Sequence, residues 1–307
     1  MDYRRANRAY LYTVLSTLVF TLLYTVWITR GGSTMSIAAN NFISEAVLLI
    51  PVLAVVLYSG DRLKVVIPLR KIKISSALMT LLYTVLLYPL VTFINALSML
   101  FVDNAVLDMS DQILAMPMWE MLLFAGVFGP FVEEIVFRGV LLQSYQRSGR
   151  IIASIILSSL LFGMAHMNFN QLAYGAVMGL AFALLVEATG SVLTSSLAHM
   201  FFNSAEVLMI YSNAEDILEA SKMLDSGVFA DNILMVIGIY FIFALIGTAI
   251  AFCVVIKISD IEGRKAFFVN IPKCKKQGYK LITVPLVVAM TIVVLYMTVT
   301  EILLSLV

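Results

Sequence analysis

Long uncharged apolar runs are the feature that most limits what this chain can fold into. Nine of them approach the roughly 20 residues a helix needs to cross a bilayer. They cover Tyr10–Ile28, Ile43–Tyr58, Ser76–Phe101, Met118–Gln143, Ile151–His166, Leu172–Glu187, Val192–Tyr211, Ile233–Ile256 and Leu281–Leu306. Of 307 residues, 61% are hydrophobic and 13% are charged. A soluble domain has about twice that share of charge, so a soluble fold is excluded. The sequence predicts an all-α, polytopic membrane helix bundle of about nine transmembrane helices with a cytoplasmic N-terminus. The fifth and sixth runs are short enough to be partly re-entrant.

Loop charge supplies the orientation. Arg4, Arg5 and Arg8 precede the first run, and Arg62, Lys64, Arg70, Lys71 and Lys73 follow the second. Arg147 and Arg150 follow the fourth, and Lys257, Arg264, Lys265, Lys273, Lys275, Lys276 and Lys280 follow the eighth. The intervening loops are acidic: Asp103, Asp108 and Asp111 in one, and Glu215, Asp216, Glu219, Asp225 and Asp231 against Lys222 in another. Basic loops stay in the cytoplasm, so the C-terminus is expected outside, with Arg30 as an exception in the first outer loop. These basic runs read as a topology signal, and no nucleic-acid partner is expected. The basic start runs into a long apolar stretch with no small-x-small cleavage site, which predicts a retained first helix. Cys253 and Cys274 are expected to be free thiols.

Against this background the polar residues inside the runs stand out. Glu133, Glu134 and Arg138 lie in the fourth run. Ionisable side chains are expensive in hydrocarbon and turn toward protein or a wet cavity. Glu134 and Arg138 are four apart and can pair on one helical face. Glu133 projects about 100° away and has no partner on its own helix. The chain's two histidines both fall in apolar runs. Phe162 and His166 share one face, as do His199 and Asn203. At about 1.5 Å per residue, these groups reach overlapping depths from the cytoplasmic ends of their helices. Glu206, three residues past Asn203, is read as interfacial or as a local hydrogen-bond partner.

A carboxylate and an imidazole sharing a water form a general base. A second imidazole and an amide can hold an oxyanion. Together they suit attack of water on an amide carbonyl without a serine or cysteine nucleophile. The same atoms can also ligate zinc, although no HExxH motif is present and no cysteine lies near. A buried structural ion pair, or a proton relay in a transporter, would use the same residue types.

Glu133-Glu134-x-x-x-Arg138, Phe162-x-x-x-His166 and His199-x-x-x-Asn203 resemble the three signature motifs of the CAAX protease and bacteriocin-processing family, also called Abi, which includes the Ras-converting CAAX endopeptidase. The resemblance covers Met118 to Tyr211. It implies an intramembrane glutamic endopeptidase with an all-helical core. Glu133 and His166 would activate water, and His199 and Asn203 would form the oxyanion hole. Glu134, Arg138 and Phe162 would support the site. It also implies a membrane protein or peptide substrate and no cofactor, with zinc as the runner-up. Non-catalytic regulation or bacteriocin immunity on the same fold is an alternative, as is proton-coupled transport.

The expected organisation is N-terminal transmembrane helices over 1–117, a core over 118–211, and an extracytoplasmic loop with C-terminal transmembrane helices over 212–307. Compact loops, Met-rich helices and the lack of a targeting sequence point to a bacterial plasma membrane. Helices one to three and eight to nine are expected to lack buried acids apart from positions near their ends, such as Glu301.

Overall fold

The computed structural model describes residues 1–225, 230–273, 280–304 and 306, and every regular element among them is helical. Each apolar run becomes a long helix: α1 (Tyr3–Thr29), α2 (Ile37–Tyr58), α3 (Ile74–Ser98), α4 (118–146), α5 (Ile151–Ala165), α6 (Phe169–Thr189), α7 (Val192–Ser212), α8 (Ala230–Ile261) and α9 (Val284–Leu304). Short helices fill some of the connections, among them Ala105–Asp108, Ser110–Leu114 and Ala214–Asp225. Cys253 is a free, exposed thiol on α8. Cys274, Lys275 and Lys276 lie outside the described residues.

Six helices, α1, α2, α3, α6, α8 and α9, are long and apolar enough to cross a membrane, which makes the chain a multi-pass membrane protein. The expected nine crossings are therefore not all of one kind. The three helices outside that set are α4, α5 and α7, which carry Glu133, His166 and His199. The polar residues explain part of the difference. Length and backbone explain the rest: α5 has 15 residues, and α4 is not a plain α-helix. It alternates α turns with π turns at Leu122–Phe128 and Ile135–Leu141.

Helix starts follow from local chemistry. Asp2, Ser36, Asn168 and Ser191 cap α1, α2, α6 and α7, each accepting from a backbone N–H in the first turn. Gly190 closes α6 in the left-handed region (φ 72°), where a Cβ would be strained.

Two apolar cores hold the bundle. One joins α1, α2, α4, α5 and α9 around Tyr10, Phe137, Leu141 and Phe162. The other joins α3, α6, α7 and α8 around Tyr83, Phe182, Phe202 and Ile258. The helix α5 crosses α6 closely because Gly163 has no side chain. A Cβ there would stand 2.6 Å from the Leu172 carbonyl oxygen and 2.8 Å from the Ala176 nitrogen. Small residues at a crossing are how membrane helices approach one another.

The loops sort by charge. Asp61 pairs with Arg147 at 3.1 Å, Lys73 N–H donates to Glu262, and Arg264 Nε–H donates to the Glu187 carbonyl. These contacts gather the ends of α2, α4, α6 and α8 with the start of α3 at the basic end of the bundle.

Candidate functional site

The site forms where α4, α5 and α7 meet over α6. Its first component is backbone. A π turn leaves carbonyls that a regular α-helix would satisfy, and π turns recur at functional positions. Pro130, inside α4, has no N–H for the Gly126 carbonyl four residues earlier. Ser204 Oγ–H donates to that carbonyl at 3.3 Å, and Asn203 Nδ2–H donates to Ala125 O at 3.1 Å. The second π turn is met from α5, where Ser158 Oγ–H donates to Phe137 O at 2.8 Å. Both irregular stretches of α4 are thereby fastened to neighbouring helices, on either side of Glu133 and Glu134.

Glu134 and Arg138 pair as their spacing predicts. Arg138 Nη1 stands 2.8 Å from Glu134 Oε1, and both side chains are fully buried. The guanidinium lies between two rings, with Cζ 4.1 Å from the Phe162 centroid and 5.2 Å from that of Phe182. A desolvated cation over an aromatic face gains about 2 kcal/mol, which offsets part of the cost of burying it.

His199 faces both carboxylates. Its Nδ1 is 3.1 Å from Glu134 Oε1 and its Nε2 is 3.6 Å from Glu133 Oε2. A carboxylate paired with arginine only accepts, so His199 Nδ1–H donates to Glu134. That contact turns Nε2 toward Glu133. The ring also packs against Phe182 at 4.8 Å and Phe162 at 5.5 Å. Glu133 is less enclosed than Glu134: 17% of its side chain is exposed against none, so it is the carboxylate a substrate could reach.

His166 caps the end of α5. Its ring meets Phe162 edge-on at 5.1 Å, which places Phe162 between the two imidazoles. Among the described residues no ion pair joins His166 to Glu133. The Glu133 charge acts on it at longer range, as do those of His199 and Arg138. The structure thus gathers Glu133, Glu134, Arg138, Phe162 and His199 in direct contact, with His166 one ring away and Asn203 one turn along α7. Asn203 is engaged with α4 through one N–H, and among the described residues no partner takes its second amide hydrogen.

Sequence reasoning did not single out Glu45, which lies near the start of α2; its Oε2 is buried with no hydrogen-bond partner and its charge interacts with that of Glu133. The sequence signal was its isolation, since it is the one charged residue of α2. A position in the third turn of an apolar helix resembles an interfacial site until α4 is packed against it.

The zinc alternative can be judged on the donor set. Among the described residues no group of three or more His, Cys, Asp or Glu side chains is arranged to hold a metal ion. The residues present do not fit a zinc site.

Residues 114–205 match the family model described as type II CAAX prenyl endopeptidase Rce1-like. The chain is 31% identical over 110 residues to the putative membrane peptidase YdiL of Bacillus subtilis (strain 168), covering 36% of this chain and 44% of the relative. It is 32% identical over 105 residues to the membrane-embedded CAAX protease MroQ of Staphylococcus aureus (strain USA300), covering 32% of this chain and 42% of the relative. The chain therefore spans less than half the length of these curated relatives. No solved structure matches. The family-matched segment contains all seven motif residues and excludes α1, α2, α3, α8 and α9.

Proposed function

We propose that this chain, whose central segment carries the CAAX-protease core, is an intramembrane endopeptidase that cleaves a membrane-associated protein or peptide by a glutamate-based, metal-free mechanism. One observation carries the reading. His199 is fixed through Nδ1 by the buried Glu134–Arg138 pair and directs Nε2 at Glu133, the more open of the two carboxylates.

In this mechanism Glu133, assisted by His166, takes a proton from water as the water oxygen bonds to the scissile carbonyl carbon. His199, carrying a proton on Nε2 as well as the one Nδ1 gives to Glu134, and the second N–H of Asn203 stabilise the oxyanion. Glu134 and Arg138 hold His199 in place, and Phe162 spaces the two imidazoles. Collapse of the tetrahedral intermediate returns the proton to the leaving amine. The surrounding rings and apolar helices keep bulk water away, which strengthens each of these electrostatic contacts.

The test uses purified protein in lipid nanodiscs with a library of membrane peptides. The parent should cleave, and Glu133→Gln and His166→Ala should each lose about 100-fold or more in rate. Parental rates in both variants would refute the assignment. Loss of activity with a chelator, followed by recovery with zinc, would refute the metal-free mechanism. Proton-coupled transport is a second reading favoured by one observation, the carboxylate of Glu45 in α2 beside α4. It expects proton flux across liposomes and no cleavage.

A further inference from the structure

The proposed mechanism gives Glu45 no part, and the helix that carries it lies outside the family-matched segment. Its position is nonetheless specific. An ideal Cβ on Gly129 would lie 3.2 Å from Glu45 Oε1, so the glycine is what admits the carboxyl to the surface of α4. Gly129 and Glu133 are four residues apart and share a helical face. Glu45 therefore lies against the face that carries Glu133, and its Oε2 is buried with no hydrogen-bond partner.

The charges around it are few. On α4 they are Glu133, whose charge acts on Glu45, and the mutually paired Glu134 and Arg138. On α1, the other helix packed along α2, the charged residues Arg4, Arg5 and Arg8 all lie in the first turns, at the basic end. Among the described residues no cation forms an ion pair with Glu45. Two neighbouring carboxylates in a low-dielectric site do not both ionise. One proton held between them would remove the repulsion and satisfy the orphaned oxygen.

We infer that Glu45 is the second carboxylate of the site: it shares one proton with Glu133 and so sets the state in which Glu133 meets water. The inference rests on the peptidase reading. Before attack the pair holds one proton. The water oxygen forms its bond to the carbonyl carbon and one water proton passes to Glu133, giving the pair two. The carbon–nitrogen bond then breaks, that proton goes to the amine nitrogen, and the pair returns to one. Water is the only co-reactant. Glu45 acts through Glu133 and is a positioning residue.

The experiment measures kcat and KM against pH for the full chain, Glu45→Gln, Glu45→Asp and Glu133→Gln, in nanodiscs, on a peptide the parent cleaves. Glu45→Gln keeps the shape and removes the shared proton. Its kcat should fall by about 100-fold with KM unchanged, and the alkaline limb of the profile should shift. Glu45→Asp should restore that limb. A purely structural role would lower the melting temperature and leave the limbs in place, and that result overturns the inference. So does a parental profile in Glu45→Gln.

Glu133→Gln separates the two levels. If it cleaves at the parental rate, the peptidase reading fails; if it is inactive while Glu45→Gln is parental, only the Glu45 inference fails. Infrared spectra give a readout that needs no turnover. The carboxylic-acid C=O band of the parent should shift or vanish in both Glu45→Gln and Glu133→Gln, and an unshifted band in either overturns the shared proton.

Discussion

Arg138→Met tests the central physical claim, that the Glu134–Arg138 pair supports the site and is not a surface-type ion pair. Both side chains are fully buried, the charges are 2.8 Å apart, and two aromatic rings enclose the guanidinium. Removing the arginine strands an ionised carboxylate with the neutral Ser195 hydroxyl and His199 beside it. Breaking a buried pair from one side costs about 3–5 kcal/mol. An exposed pair would cost about 0–1 kcal/mol, so the two cases are well separated. Methionine retains most of the apolar contact with Phe162 and Phe182, which confines the loss mainly to charge.

The companion variant Glu134→Gln/Arg138→Met removes both charges and should recover more than half of the lost stability, because no orphaned ion remains. The assay is a double-mutant cycle by denaturant unfolding in micelles, with an expected coupling of about 2–3 kcal/mol. Activity should not return with stability, since His199 loses the anion that fixes Nδ1. A coupling near zero, or parental stability in Arg138→Met, would refute the reasoning.

Other predictions follow from single contacts. Gly163→Val places a Cβ 2.6 Å from a backbone oxygen of α6 and should cost at least about 1–3 kcal/mol in unfolding experiments, with loss of cleavage as α5 moves His166. Ser158→Ala strips the Phe137 carbonyl in the second π turn of its donor, so stability should fall by about 1–3 kcal/mol and amide exchange near 135–141 should accelerate. Gly129→Ala brings a methyl within 3.2 Å of both Glu45 Oε1 and the Phe124 carbonyl oxygen, so the pH profile should move as it does for Glu45→Gln and the melting temperature should fall as the first π turn adjusts. A cysteine placed within Asn213–Leu218 should react with an impermeant reagent on intact cells; reaction only after permeabilisation reverses the orientation.

Much of this was legible in the sequence for a simple reason. In a bilayer the hydrophobic period gives way to a cruder signal, apolar or not, and each run became one helix with ends displaced by a few residues. The Glu134–Arg138 contact was equally legible because i, i+4 geometry needs no tertiary knowledge. The two histidines were conspicuous by their setting. What could not be read was anything fixed between helices. Spacing does not say that His199 takes both carboxylates while His166 stands behind Phe162. Nor does it reveal the π turns of α4, which depend on Asn203, Ser204 and Ser158 arriving from other helices to take the freed carbonyls.

Those π turns also bear on why the site lies where it does. A regular α4 would satisfy its own backbone and present a closed cylinder to α7. With Pro130 and two π turns, α4 instead needs donors from its neighbours, and the residues that supply them are Asn203, Ser204 and Ser158. The requirement for backbone satisfaction in lipid thus fixes α7 and α5 in register with Glu133 and Glu134. Catalytic geometry and membrane stability then depend on the same contacts. A substitution that relaxes α4 to a plain helix should move His199 relative to Glu133 even where it touches neither residue.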